Sequence, residues 1–318
     1  MGDKNMEAAQ CPACGVSRPD HLPCGSRSEY QLLCCAACGI LFSDPMVPAD
    51  NAWYEHSEIY SARHQWLKHV AVSSQRPRWE FNEALKVVGS GATALLDVGC
   101  GFGDFLFHAR RAGCDVTGID FSAACVEFAR TELGIQSVFN CSLEQLASRC
   151  SGQLFDAITI FEVLEHTADP FEVLRSAKSL LRQGGQLCVS VPGYRRWPAL
   201  FDPDVDFPPH HLTLWSEQGL ERLLERAGFR VIKVSRKPLQ AADLGLHIKW
   251  AIRRALKRRI TTVPASEQQV YAATPTAKKI VARAVRRLAG GLLAIACVPL
   301  RVHRRAGGFT LFVHAENA

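Results

Sequence analysis

Between residues 91 and 236, short apolar runs alternate with longer stretches of helical period. The runs "ALLDVG" (Ala94–Gly99), "DVTGID" (Asp115–Asp120), "IQSVFN" (Ile135–Asn140), "FDAITIF" (Phe155–Phe161), "GQLCVSVP" (Gly185–Pro192) and "FRVIKVS" (Phe229–Ser235) predict strands. Amphipathic segments between them predict helices. One begins near Asp104; another ends at Ala227-Gly228, where the glycine supplies a C-terminal stop. Strand–helix alternation of this kind predicts an α/β fold with a doubly wound, mostly parallel sheet. "GFTLFVHAEN" (Gly308–Asn317) reads as one more strand of that sheet, the seventh.

The flanks are patterned differently, which divides the chain into residues 1–50, 51–90, 91–236 and 237–318. The first segment is loop-rich and carries six of the 13 cysteines. The second holds irregularly spaced aromatics and reads as a helical lead-in of one or two helices. The last is basic and helical before the final strand: "HIKWAIRRALKRR" (His247–Arg259) and "TAKKIVARAVRRLAGGLL" (Thr276–Leu293) are amphipathic, with Ile280, Ala284 and Leu288 on one face.

Composition sharpens this division. Charged residues make up 21% and hydrophobic residues 47% of 318, ordinary for a globular chain. The net charge of +6 is uneven: from Arg230 onward, 18 Lys and Arg face three Asp and Glu. Three readings of that basic segment stay open: peripheral contact with an anionic membrane surface, helices packed on the domain with solvated basic faces, or a nucleic-acid contact. Sparse aromatics among the arginines argue against the third. The longest apolar run, Leu288–Leu300, has 13 residues, so no transmembrane helix is expected. The chain opens MGDKNMEAAQ, without a secretory apolar core. A cytoplasmic setting with reduced thiols is therefore expected, peripheral to the inner membrane face if the tail binds lipid. Oligomeric state leaves no mark on the sequence.

The candidate chemistry begins at "LLDVGCGFGDF" (Leu95–Phe105). A dinucleotide fingerprint, G-x-G-x-x-G, would be met by Gly99 and Gly101, but Asp104 occupies the third position. A Walker loop would need Gly-Lys-Ser/Thr, and no lysine is near. An acid at the helix start also repels a phosphate, which weakens an NAD-dependent oxidoreductase reading. The pattern Asp97-x-Gly99-x-Gly101-x-Gly103 suits a ligand with a positive centre instead.

That loop resembles motif I of class I S-adenosylmethionine-dependent methyltransferases. Asp120 follows about 20 residues later, then "CSLEQL" after Asn140, "FEVLEHTADP" (Phe161–Pro170) and "LRQGGQLCVSVP" (Leu181–Pro192). These ordered landmarks cover about 140 residues and resemble the family in sequence and spacing. The resemblance implies a Rossmann-like sheet and S-adenosyl-L-methionine as donor. It implies donor contacts from Asp97, Gly99, Gly101, Gly103, Asp120, Phe121, Ser142, Leu143, Phe161 and Glu162. By that resemblance Asp120 accepts from the ribose hydroxyls, and Phe121 packs on the adenine. For Asp97 a second role, capping the loop through backbone N–H groups, stays open. More loosely, the chain is similar to ubiquinone-pathway O-methyltransferases and to sugar or lipid-intermediate methyltransferases, which implies a small-molecule acceptor.

A hydroxyl or carbon-acid acceptor needs a base within hydrogen-bond reach. "YRRWPALFDPDVDFPPHHLTLWS" (Tyr194–Ser216) is too long for a plain connection and reads as a substrate lid. Within it His210 and His211 are candidate bases, with His166 a further candidate. The competing reading packs one histidine under the lid and uses the other to cap a helix starting near Ser216-Glu217. A non-catalytic binding module on the same fold is the alternative to an enzyme.

Cys11-x-x-Cys14 and Cys35-x-x-Cys38 are each followed by glycine. Two such knuckles predict a closed four-thiolate structural zinc ribbon, similar to the N-terminal ribbon of some bacterial methyltransferases. Cys24 and Cys34 lie close enough in sequence to compete as ligands.

Overall fold

The computed structural model describes residues 10–17, 21–50, 77–88, 93–149, 154–193, 206–238 and 310–318. The basic helices of the tail, most of the helical lead-in and residues 194–205 of the lid lie outside them.

Three strands open the described chain: β1 (His21–Arg27), β2 (Tyr30–Cys35) and β3 (Leu41–Asp44). Sequence patterning reads this segment as loops. Alternation fails here because β1 buries only its first residue and carries Pro23 and Gly25 at a register shift. Helix α1 (Trp79–Val88) leads into the α/β unit.

There the elements run β4 (Ala94–Val98), α2 (Asp104–Arg111), β5 (Asp115–Asp120), α3 (Ala123–Thr131), β6 (Val138–Asn140), α4 (Leu143–Arg149), β7 (Phe155–Phe161), α5 (Pro170–Leu180) and β8 (Leu181–Pro192). After the lid come β9 (Thr213–Leu214), α6 (Glu217–Arg226), β10 (Phe229–Arg236) and, beyond the basic segment, β11 (Thr310–Asn317).

The seven-stranded sheet has the order β10-β11-β8-β7-β4-β5-β6. The pairs from β8 to β6 are parallel, and β11 runs antiparallel between β8 and β10. The strands are apolar because helices cover both faces: Leu95, Leu96, Ile158, Ile160, Leu187, Val189 and Val313 are almost fully buried. Strand order reverses between β4 and β7, so their carboxyl ends open the crevice where an open α/β sheet takes its ligand.

Asp169 caps α5 through Phe171 and Glu172 N–H, and Pro170 follows at the first helical position. Ser216 caps α6, its Oγ accepting from Gly219 N at 2.8 Å. Neither histidine of the lid caps that helix.

The four-stranded sheet, β1-β2-β3-β9, joins the ribbon to the body. β9 pairs with β3 through Leu41↔Leu214 and Phe42↔Thr213. Buried Cys11, Cys35, Cys38, Ile40 and Phe42 share one hydrophobic cluster with Trp215, Leu220, Leu223 and the strands of the main sheet. Ribbon and body therefore have a continuous core.

Candidate functional site

Left-handed backbone shapes the loop after β4: Gly99, Gly101 and Gly103 have φ of 71°, 53° and 82°. Each glycine has its own reason. A Cβ on Gly99 would stand 2.4 Å from Val163 Cγ2 in the segment after β7. One on Gly103 would crowd Ala129 and Leu133 of the helix region behind the loop, at 3.1 and 3.2 Å. Above Gly101 there is open space. The first and third positions thus serve packing, and the middle one leaves room for a ligand to approach backbone.

Asp120 ends β5 beside this space. Its Oδ2 accepts from Gly101 N and its Oδ1 from Ser122 N, both at 2.8 Å. Burial pushes its carboxyl above the usual range, and the two backbone donors oppose that shift. Phe121, next in sequence, is 56% exposed, unusual for a large aromatic at a strand end. Asn140 at the end of β6 donates to the carbonyls of Asp120 and Phe121 at 3.0 and 2.8 Å, fixing both. Sequence reading missed Asn140; a side-chain amide at a strand end was its only signal.

Asp97 takes a different place. It is 2% exposed, and its Oδ1 accepts from Thr159 Oγ1 of β7 at 2.6 Å. Burial pushes its carboxyl up to about 7, against the Thr159 hydrogen bond and the Arg78 charge. Phe161 lies among Phe81 and Phe105, with ring centroids 5.2 and 4.9 Å away, inside the core. Both side chains are thus enclosed in the protein interior. Ser142 and Gln145 form a reciprocal cap on α4: Ser142 N donates to Gln145 Oε1 at 2.9 Å and Gln145 N to Ser142 Oγ at 3.2 Å. Leu143 is buried beside them.

Glu162 follows β7 with φ of 55°, a left-handed conformation rare for a non-glycine residue. Its N–H donates to Ser190 O at 2.9 Å, and Ser190 Oγ donates to Glu162 Oε1 at 3.2 Å. The strained residue is thereby held at the strand's carboxyl end, across the crevice from Gly101 and Asp120.

The three histidines converge. His166 ends a 3-10 turn (Leu164–His166), and His210 and His211 come from the described end of the lid. Their ring centroids lie 4.7 Å (His166–His210), 4.8 Å (His166–His211) and 4.6 Å (His210–His211) apart, the last pair stacked at 29°. His210 and His211 are buried, and ring nitrogens of all three come within 4.8 Å of one another. His166 Nδ1 and His210 O are 2.6 Å apart, and since the carbonyl can only accept, Nδ1 is the donor. Two buried carboxylates border the group: Glu165 Oε1 is 3.8 Å from His166 Nε2, and Asp206 Oδ1 is 4.0 Å from His211 Nδ1. Leu212 N donates to Glu165 O at 2.7 Å, tying the lid to the turn after β7.

The four cysteines also converge. Cys11 and Cys38 Sγ are 3.5 Å apart, Cys14 and Cys35 Sγ 3.6 Å. Four thiolates around zinc at about 2.3 Å would stand roughly 3.8 Å apart, so the cluster fits that ion. Hydrogen bonding to Cys38 and burial hold the Cys11 thiol well above its usual range, and burial raises Cys35 as well. Such crowded thiols need a cation to ionise together. Cys24 is exposed and lies outside the four-cysteine group.

Comparison with known proteins agrees with this geometry. The family model Methyltransf_23, described as a methyltransferase domain, matches residues 51–234. A ubiquinone biosynthesis O-methyltransferase of Xanthomonas axonopodis pv. citri is 41% identical over 111 residues, 34% of this chain and 45% of that protein. Its counterpart in Xanthomonas campestris pv. campestris is 40% identical over 122 residues, 37% of this chain and 49% of that protein. The chain thus spans about half the length of the curated relatives it matches. Among solved structures, a SAM-dependent methyltransferase from Archaeoglobus fulgidus superposes with a TM-score of 0.50 at 17% identity, covering 79% of this chain and 99% of that one. Haemonchus contortus phosphoethanolamine N-methyltransferase 2, in complex with S-adenosyl-L-methionine, gives 0.50 at 18%, covering 85% and 60%. The Rossmann-like fold is common to them.

Proposed function

The chain belongs to the Methyltransf_23 family of methyltransferase domains, and on that footing we propose that it transfers a methyl group from S-adenosyl-L-methionine to a small-molecule acceptor. Hydroxyl or acidic-carbon acceptors, in a sugar, a lipid intermediate or a quinone precursor, suit the histidine-lined lid. The observation that carries the reading is the pairing of Asp120 with Gly101: a carboxylate accepting a backbone N–H beside open space at the reversal point of the sheet.

The donor, when bound, supplies an electrophilic methyl group on a sulfonium. Asp120 keeps lone pairs for a ribose diol beyond those used by Gly101 and Ser122. Phe121, with its exposed ring, would pack on the adenine, and Ser142 and Leu143 would border its edge. Gly99, Gly101 and Gly103 form the bed of the site, and Glu162 offers a negative charge to the donor's cationic end. Asp97 and Phe161 hold this bed from below.

His210 or His211 takes the acceptor proton. His166 is a positioning residue, anchored on the His210 carbonyl. Buried Asp206, beside His211 Nδ1, favours an imidazolium formed there, and buried Glu165 borders His166. The two rings, stacked and buried, would keep water from an acceptor held beside them, which an in-line displacement needs. One zinc ion held by Cys11, Cys14, Cys35 and Cys38 is part of the same proposal; with four thiolates it has no open position for substrate.

Calorimetry with S-adenosyl-L-methionine, S-adenosylhomocysteine and NAD tests the reading. Binding of the first two and not the third is expected. Absence of both would overturn it, and donor binding with no turnover on any acceptor class would favour the binding-module alternative.

A further inference from the structure

The ribbon and the histidine segment are built as one unit. β9, the two residues that follow Leu212, is the fourth strand of the ribbon sheet. Ser43 N donates to Leu212 O at 2.9 Å, and Ala49 N reaches Pro209 O at 3.3 Å. His210 and His211 therefore lie between two backbone anchors on the ribbon side and, on the other, the Leu212–Glu165 and His166–His210 contacts.

Helix α6 fastens the metal knuckles themselves. Its cap, Ser216 Oγ, donates to Cys38 O at 2.6 Å. A Cβ on Gly219 would stand 2.1 Å from Ile40 Cγ2, so the helix rests directly on the second knuckle. Arg222 Nη1 donates to Ala37 O at 2.8 Å, and Arg226 Nη1 to Ala13 O at 3.0 Å and Pro12 O at 3.2 Å. Arg226 also covers the Phe171 ring of α5 at 4.0 Å. The carbonyls that both knuckles expose are thus used by the helix whose cap directly follows Trp215.

We propose that metal occupancy of Cys11, Cys14, Cys35 and Cys38 sets the position of His210 and His211, making the ribbon a positioning element of the acceptor site and not an appended module. The coupling is local. The donor loop is held by the Asp120–Gly101 hydrogen bond and by Asn140 behind Asp120, bonds made within the main sheet and its loops and not to the knuckle carbonyls. Loss of the metal frees the knuckle carbonyls from their fixed geometry, then β3, then the β3–β9 pairing and the Leu212 anchor. This inference rests on the proposed acceptor role of the lid, but its test reads backbone protection directly.

Hydrogen–deuterium exchange on the full-length protein, as purified and after stripping with EDTA, separates the outcomes. In stripped protein the amides of Leu212–Leu214, Gly219 and Leu220 should exchange about tenfold faster or more, while Gly99, Gly101 and Asp115–Asp120 keep their protection and S-adenosylhomocysteine binds within about twofold of its original affinity. Zinc readdition should restore protection. An Arg222→Ala/Arg226→Ala double variant, which leaves the four thiols in place, should retain zinc and deprotect the same amides by a smaller factor. Faster exchange confined to residues 10–44 would overturn the proposal, as would simultaneous loss of protection throughout the chain. Purification without zinc would also overturn it. Deprotection of 212–220 with unchanged methylation would uphold the coupling and overturn the acceptor role of the histidines.

Discussion

Val163 occupies the space that a side chain on Gly99 would need: a Cβ there would stand 2.4 Å from Val163 Cγ2. The glycine loop after β4 and the "EVLEH" segment after β7 are therefore fitted to each other. Gly99→Ala combines this overlap with a φ of 71° that disfavours a Cβ. Donor affinity should fall at least about tenfold, with a stability loss of roughly 1–3 kcal/mol. Calorimetry and thermal unfolding check it; Val163→Ala should recover part of the affinity by opening the space.

Asp120→Asn should separate packing from ligand charge. The amide oxygen can still accept one backbone N–H, but the second oxygen is replaced by a donor facing Gly101 N or Ser122 N. A loss of donor affinity of roughly 1.5–3 kcal/mol, with the fold intact by circular dichroism, is the expected result. Unchanged affinity would remove Asp120 from the donor site.

Asp97 makes stability depend on pH in a defined direction. Its carboxyl has a value of about 7 in the folded chain against an ordinary 3.8. The unfolded state then releases its proton first, so this group's contribution to stability is complete below about pH 4. It falls as pH rises and levels off above about 7; every tenfold difference in proton affinity between the two states is worth at most about 1.4 kcal/mol. Asp97→Asn removes the titration. Its stability relative to the parent should rise between pH 4 and 7 in denaturant melts at successive pH values. A pH-independent difference would show that Asp97 is ionised throughout.

His210→Ala and His211→Ala test the base. One of the two should lower kcat by a factor of about 10²–10⁴ and remove the acidic limb of the pH–rate profile, while donor affinity stays constant. His166→Ala should have a smaller effect, because His166 is placed as a positioning residue anchored on the His210 carbonyl. If all three variants kept the parent profile, the lid would have no role in proton transfer.

The main sheet was legible because parallel strands covered on both faces leave uninterrupted apolar runs, and each sequence-predicted strand has its counterpart. The glycine loop and Asp120 were legible because their spacing follows the strand–loop–helix repeat. The ribbon strands were not. β1 exposes five consecutive residues, and β9 is two residues long and pairs with a strand about 170 positions earlier. Non-local pairing leaves no mark on local periodicity. The three histidines could each be nominated singly, but their grouping joins positions 44 apart through a backbone carbonyl. Ser142 was read as a donor contact, and its visible work is to cap α4 with Gln145. The "S-L-E-Q" spacing carried that information as a capping box. The basic helices remain an expectation outside the described residues.

β10 and β11 are adjacent antiparallel strands, yet residues 237–309 separate them in sequence. Arg236 pairs with Leu311, and Lys237 N donates to Thr310 O at 2.9 Å, so the long excursion leaves and re-enters the sheet at a single point. In effect the basic segment is a cargo inserted into the loop of a β-hairpin. The contacts at Arg236, Lys237, Thr310 and Leu311 therefore close the sheet at points that do not depend on the length of chain between them. A nascent chain faces the opposite constraint: β10 leaves the ribosome more than 70 residues before its partner, and must wait as an open edge until β11 arrives.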